Sequence, residues 1–266
     1  MVYIFVQYIE ERSTCMQYFF DTENTIPKGL GFSNFDSSHL MWLAISVLSV
    51  LFFSLQYRSL SLVGRAKWRK TVALLIVFDE VFKQACMLIG GTFLPKYLPL
   101  HLCNANIFLI AIRAWKPNQT IGNFLYVLGI PGAIAALLFP AWNKLPFLNF
   151  MYLHSYTVHI LLILYPVALL AAGEIRPDVR QIPKCLALLA GMAAIAQVFN
   201  LIFDTNFFYL MRSGGKNNPF YWVEVHMGSH LYGVVLFVAG MFALMYIPIE
   251  LRKKYYEKHQ LKHSHG

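Results

Sequence analysis

Charged residues are scarce in this chain. Only 13% of its 266 residues are Asp, Glu, Lys or Arg, 58% are hydrophobic and the mean hydropathy is +0.52. Soluble domains carry about 25% charged residues, so the composition excludes a water-soluble domain and specifies an integral membrane protein. Acidic residues are the rarer sign, with 13 Asp and Glu against 22 Lys and Arg. In a soluble protein that excess would point to nucleic acid. Dispersed basic residues flanking apolar runs instead follow from the retention of Lys and Arg on the cytoplasmic side, and no nucleic-acid partner is expected. Cysteine is almost missing. Cys15, Cys86, Cys103 and Cys185 have no CxxC or other metal spacing, and only Cys15 and Cys103 are expected near one aqueous face, which argues against a disulfide framework. There is no glycine-rich phosphate loop, internal repeat or soluble second domain, and no nucleotide or metal cofactor is expected. Residues 1–11 lack a basic n-region and a long apolar core, so the first apolar run, not a cleaved signal peptide, is expected to direct insertion.

What the chain does have is seven apolar stretches, at 39–57, 70–94, 98–114, 120–141, 147–172, 183–203 and 227–250. Each is near the ~20 residues that cross the hydrocarbon core. The expected fold is all-α, a polytopic bundle of seven transmembrane helices spanning 39–250. Residues 1–38 are expected to form an extracytoplasmic segment, amphipathic or irregular, and 251–266 a basic cytoplasmic tail. Gly90-Gly91 and Pro95 should close the second stretch; Pro131 should kink the fourth and Pro140 end it.

The connecting segments sort by charge. Arg58, Arg65, Lys67, Arg69, Lys70, Arg113, Lys116, Arg176, Arg180, Lys184 and the tail residues Arg252, Lys253, Lys254, Lys258 and Lys262 fall on one side. Only Arg12, Lys28, Lys96, Lys144, Arg212 and Lys216 fall on the other, with Lys83 left inside the membrane. The expectation is a multi-pass protein of the cell membrane with its N-terminus outside and its C-terminus in the cytoplasm.

Polar groups within an apolar span must find partners inside the protein. In the second span Asp79 and Lys83 are four apart and are expected to neutralise one another on one helical face, leaving Glu80 in need of another partner. The pair serves either packing or a site. The third span opens with His101, Cys103, Asn104 and Asn106, and the fifth brings His154, Ser155, Tyr156 and His159 from the same face. A cysteine and a histidine on neighbouring helices can form the thiolate–imidazole pair that activates a thiol, although a lone intramembrane cysteine is more often a packing residue. In the seventh span His226 and His230 are four apart. They could share a metal, but no third ligand stands at a zinc-motif spacing, so capping and hydrogen bonding to neighbouring helices are the expected roles.

The Leu98-Pro-Leu-His-Leu-Cys103 run, His154-Ser-Tyr-x-x-His159, the Asp204-to-Leu210 run Asp-Thr-Asn-Phe-Phe-Tyr-Leu and the seven-span layout resemble the YwaF family of bacterial integral membrane proteins, related to the eukaryotic transmembrane protein 164 family. The resemblance extends from about Arg69 to Ile249, over nearly the whole membrane region. It implies a cysteine-dependent acyltransferase that remodels phospholipids. Cys103 falls on the family's cysteine and His159 on its histidine, and Lys83, Asp79 and Asn206 fall on further family positions. The partners implied are membrane lipids; the oligomeric state is left open.

The implied chemistry is a Cys103 thiolate attacking an acyl ester, with His159 as general base and then acid, and nearby amides or His101 stabilising the oxyanion. Transfer to a lipid hydroxyl makes an acyltransferase and transfer to water a lipid hydrolase. A membrane transporter or small-ligand-binding protein is the competing class, in which Asp79, Glu80, Lys83 and the histidines line a polar pathway through the bundle. A membrane scaffold with buried polar contacts and no turnover is the third.

Overall fold

The computed structural model describes residues 17–216 and 218–264, with side chains through residue 255. Cys15 and the remainder of the expected N-terminal segment before residue 17 lie outside the described residues. Those residues form eight helices and no strand. They are α1 (Ser37–Ser59), α2 (Leu62–Ile89), α3 (Leu102–Trp115), the rod α4 (Gln119–Leu138), α5 (Phe150–Ala171), α6 (Ile182–Phe203), α7 (Pro219–Met227) and α8 (His230–Ser264).

Each start has a local cause. Asp36 accepts from His39 N at 2.8 Å, Ser61 from Gly64 N at 3.2 Å and Asn118 from Ile121 N at 3.0 Å, so three helices begin on side-chain caps. Asn149, wholly buried, does more. Its Oδ1 accepts from Met151 N at 2.9 Å to cap α5, while its Nδ2 donates to Tyr18 O and Asp21 O at 2.8 Å each. The segment from residue 17 to 36 is thereby tied over the N-terminal end of α5.

Rod α4 is three pieces in one. A π-helical turn, Leu125–Gly129, separates Gln119–Phe124 from Ile130–Leu138 and immediately precedes Pro131. A proline inside a helix removes a hydrogen-bond donor and crowds the preceding turn; a widened turn just before it absorbs the mismatch. The rod ends at Leu138, two residues before Pro140. The rod thus ends where Pro140 was expected to end it, and a π-helical turn stands next to Pro131.

Helix α5 is the axis of the bundle, packed by α1, α2, α3 and α4. Tyr152, Tyr156, Leu162, Tyr165, Ala168 and Leu169 on α5 are at most 1% exposed and join Ile76, Ile110, Phe124, Leu125 and Leu128 in one apolar core. By contrast α1, α6 and α8 expose Leu48, Phe52, Leu55, Ile195, Leu201, Val235 and Leu236 among others. Apolar faces of that extent belong against lipid.

Five helices (α1, α4, α5, α6 with its preceding turn, and α8) are long and apolar enough to cross a membrane. Helix α2 has the length, 28 residues, but carries Asp79, Glu80 and Lys83; α3 has only 14 residues. Two boundaries differ from the sequence expectation. The third stretch becomes helical only at Leu102, because Pro95–Tyr97 forms a separate turn and leaves His101 at the cap position. The seventh is broken at Gly228, in the left-handed region at φ 83°, into α7 and α8, and α8 then continues through the basic tail to Ser264.

Candidate functional site

Two ends of the bundle carry polar clusters. At the end where α3 and α5 begin there is a cavity of 330 Å³. Lys83 from α2, His101 and Asn104 from the start of α3, and His154, Ser155 and His159 from α5 line it, with Trp142 and Leu145 as an apolar wall and Glu23, Lys96 and Tyr97 at the margin.

His159 is 7% exposed and oriented from both sides. Its Nδ1 lies 2.6 Å from Ser155 O, one turn back, and the ring stacks on Trp142 with centroids 5.2 Å apart at 20°. A carbonyl only accepts, so Nδ1 carries the proton and Nε2 keeps its lone pair. That tautomer is the one a general base needs.

Behind His159 lies a chain of buried ionisable groups. Lys83 Nζ is 2.6 Å from Glu80 Oε1 and donates to Tyr97 O at 3.1 Å. Gln84 Nε2 donates to the same Glu80 oxygen at 2.7 Å and to Tyr97 O at 3.1 Å. His154 stands between the two acids, Nδ1 3.2 Å from Asp79 Oδ2 and Nε2 3.6 Å from Glu80 Oε2. Thr157 donates to Asp79 Oδ2 at 3.0 Å. The expected Asp79–Lys83 pair is therefore corrected: Lys83 pairs with Glu80, three residues before it, and Asp79 turns to α5. The helical face that α2 presents to α5 explains the exchange, because His154 and Thr157 take Asp79 and leave Lys83 to the nearer carboxylate. Two carboxylates thus face one ammonium and one imidazole.

Cys103 is half-buried in the first turn of α3 and does not line this cavity. Its Sγ faces α4, where a Cβ added to Gly132 would lie 3.5 Å from it. One turn along the same face, Asn106 is 1% exposed, and neither its Oδ1 nor its Nδ2 has a hydrogen-bond partner. Gly129 stands opposite Asn106 as Gly132 stands opposite Cys103. The glycines allow α4 to approach α3 closely, so the thiol and the orphaned amide share a narrow seam beside the histidine cavity.

Of the remaining candidates only His101 borders this cavity. His101 is exposed at the lip and rests edge-on against Phe207 at 4.9 Å. Asn206 belongs to the loop after α6. Its Oδ1 accepts from Met211 N and Arg212 N at 3.0 Å, and its Nδ2 donates to Arg212 O at 2.9 Å. With buried Asn200, which accepts from Phe207 N at 2.7 Å, it holds a turn in which Asp204, Phe208 and Tyr209 have φ of 51°, 58° and 55°. His226 and His230 fall on different helices. His226 Nδ1 bonds Trp222 O at 2.7 Å and His230 Nδ1 lies 3.5 Å from Glu224. Among the described residues no group of three His, Cys, Asp or Glu side chains could hold a metal ion. Glu80, which the sequence left in need of a partner, finds it in Lys83, and Gln84 and Trp142 are additions to the site. Glu80 and Gln84 were legible as an i, i+4 pair inside an apolar span; Trp142 sits in a loop and gave no signal.

Comparison with known proteins gives one positive result: the family model described as TMEM164 family matches residues 34–254. No curated protein and no solved structure matches the chain.

Proposed function

The chain belongs to the TMEM164 family, and from that premise we propose that it is a Cys103/His159-dependent enzyme acting on acyl esters of membrane phospholipids, as acyltransferase or lipid hydrolase. The resemblance of its motifs to the bacterial YwaF proteins agrees with this reading. The observation that carries it is His159, locked by Ser155 O and Trp142 with Nε2 available at the wall of a cavity into which α3 also projects its first turn. In the proposed reaction a lipid carbonyl enters between that cavity and the α3–α4 seam. The Cys103 thiol loses its proton to His159 Nε2 as sulfur adds to the carbonyl carbon. Asn106 Nδ2, otherwise orphaned, donates to the oxyanion. Collapse expels the first lipid's alkoxide, which takes the proton back from His159; His159 Nε2 then accepts the proton of a lipid hydroxyl or water as that oxygen adds to the thioester carbonyl, and the C–S bond breaks with the proton passing to the departing sulfur. The proposed orientation puts this end of the bundle outside the cell membrane and the basic loops in the cytoplasm.

The test is labelling of purified protein with a lipid-like thiol electrophile, together with turnover of phospholipid in mixed micelles. The reading expects both to be lost in Cys103→Ala, and turnover to be lost in His159→Gln with folding retained. Turnover that survives Cys103→Ala would overturn it.

A second reading rests on a different observation. Cys103 does not line the cavity, whereas Lys83, His101, His154 and His159 do. A binding or transport protein would use those basic groups to hold an anionic ligand and would tolerate Cys103→Ala.

A further inference from the structure

The opposite end of the bundle, which carries the basic loops, holds a larger cavity of 580 Å³. Its walls are the last turn of α3, the start of α4 and the segment 173–181 that follows α5. No residue of the histidine cavity contributes to it.

Arg113 lines this cavity and is 2% exposed. Its nearest carboxylate is committed elsewhere. Arg69 holds Glu174 Oε2 at 2.7 Å, Tyr57 donates to Oε1 at 2.7 Å, and Arg65 stands 3.8 Å away. What Arg113 obtains from Glu174 is the backbone carbonyl, accepting from Nη2 at 3.1 Å. Its Nε and Nη1 have no carboxylate partner, and the Tyr165 hydroxyl sits beside the guanidinium within hydrogen-bonding reach. Asp178, the other acid of the wall, accepts from Arg180 N at 3.0 Å. Gly122 lets α4 close over the guanidinium, since a Cβ there would lie 3.3 Å from Nε. Arg176 stands exposed at the rim.

A buried guanidinium with no carboxylate partner carries an uncompensated charge, which an anion entering the cavity would neutralise. Its flat fork of donors matches phosphate oxygens two at a time. The cavity also lies within the ~300–1,000 Å³ range of small-ligand sites. We propose that it binds a phosphate-bearing anion, with Arg113 as the buried anchor and Arg176 as the rim ligand. The same chemistry is offered by a lipid headgroup and by a soluble phosphate compound, and the experiment separates them.

The full chain in a neutral detergent is titrated with inorganic phosphate and, separately, with dioctanoyl phosphatidic acid, while its thermal midpoint is followed. Sodium chloride at matched ionic strength and dioctanoylglycerol are the controls. A saturable rise with either phosphate-bearing probe, absent from the controls, is expected. A response to inorganic phosphate assigns a soluble ligand, and a response to phosphatidic acid alone assigns a headgroup; both support the site. Arg176→Gln, at an exposed residue that leaves folding intact, should weaken binding by about tenfold, the equivalent of losing one charged contact. Arg113→Lys, which keeps the charge and loses the fork, should weaken it further. No saturable response to either probe, or the same apparent affinity in Arg176→Gln as in the unaltered protein, overturns the proposal, and the second outcome holds even if the Arg113 variants do not fold.

Discussion

Lys83→Met tests the ionic chain beneath the candidate site most directly. The substitution keeps the volume and apolar stem but deletes an ammonium whose side chain is 4% exposed and 2.6 Å from Glu80 Oε1. Removing one partner of a buried pair costs about 3–5 kcal/mol, because the other charge is left without compensation. Gln84 still donates to that carboxylate oxygen at 2.7 Å, so the lower part of the range is expected. For a chain of this size that corresponds to a fall in thermal midpoint of roughly 6–15 °C. Buried Cys86 and Cys185 supply the assay, since a fluorogenic maleimide reaches them only as the bundle opens. Glu80→Gln should be similarly destabilising by itself. The double variant Glu80→Gln/Lys83→Met, which buries no unmatched charge at this pair, should return to within about 1 kcal/mol of the starting protein. A Lys83→Met midpoint that does not move, or a double variant as unstable as either single one, would refute the reasoning. So would strong coupling of Lys83→Met to Asp79→Asn instead of to Glu80→Gln, because the ammonium would then belong to the carboxylate four residues away.

Asn149→Ala removes the cap of α5 and both bonds that hold residues 18 and 21; a loss of about 2–4 kcal/mol is expected, with earlier proteolysis in the segment 17–36 as a second readout. Gly31→Ala would drive a Cβ into Asn143 O, so the Phe32 N to Asn143 O bond at 2.8 Å must give way; hydrogen exchange at Phe32 should rise sharply while α5 amides stay protected. Gly132→Ala adds a methyl in ordinary contact with Cys103 Sγ and should leave lipid-electrophile labelling intact, whereas Gly132→Leu should fill the seam and suppress it without unfolding the bundle.

How much of this was visible in the sequence follows from where the information resides. Apolar length and proline position are local, so the rod's end before Pro140 could be placed from the chain alone, whereas the π-helical turn before Pro131 could not. His159 and His154 were legible because a polar ring in an apolar run must have a partner. Which partner was not legible. Asp79 and Lys83 satisfy the four-residue rule within α2, yet the rotation of α2 against α5 brings His154 to Asp79, and that rotation is set by packing over the whole interface. The same limit applies to Cys103. Its place at the start of α3 follows from the chain, but that Sγ faces Gly132 and not the histidine cavity is set by how α3 packs on α4. The break at Gly228 falls at the polar margin of the last apolar run, between His226 and His230, where the backbone needs a positive φ that glycine supplies.

The distribution of polar groups with depth bears on the choice between catalysis and transport. A transport pathway needs polar side chains through the whole bundle, or two arrangements that expose them in turn. Here the histidine cavity and the arginine cavity occupy opposite ends, and between them Ile107, Ile110, Phe124, Leu128, Leu162 and Ile163 close the core at 0–7% exposure. On α3 the polar residues stop at Asn106 and resume only at Arg113, seven residues and about 10 Å farther along the helix. Opening a route would mean separating α5 from both α3 and the rod, and with them the most deeply buried apolar contacts of the protein. A reaction confined to one end demands much less: a lipid entering beside α3 need only part the glycine-lined seam at Gly129 and Gly132, where small residues meet a thiol and an amide that has no partner of its own. Movement at that seam, with the core layer unchanged, is therefore the conformational step that the catalytic reading requires. Crosslinking should detect it: a cysteine pair introduced across Ile110 and Leu128, with native Cys103 replaced by Ser, should be harmless to phospholipid binding, whereas a pair across Asn106 and Gly129 should block it.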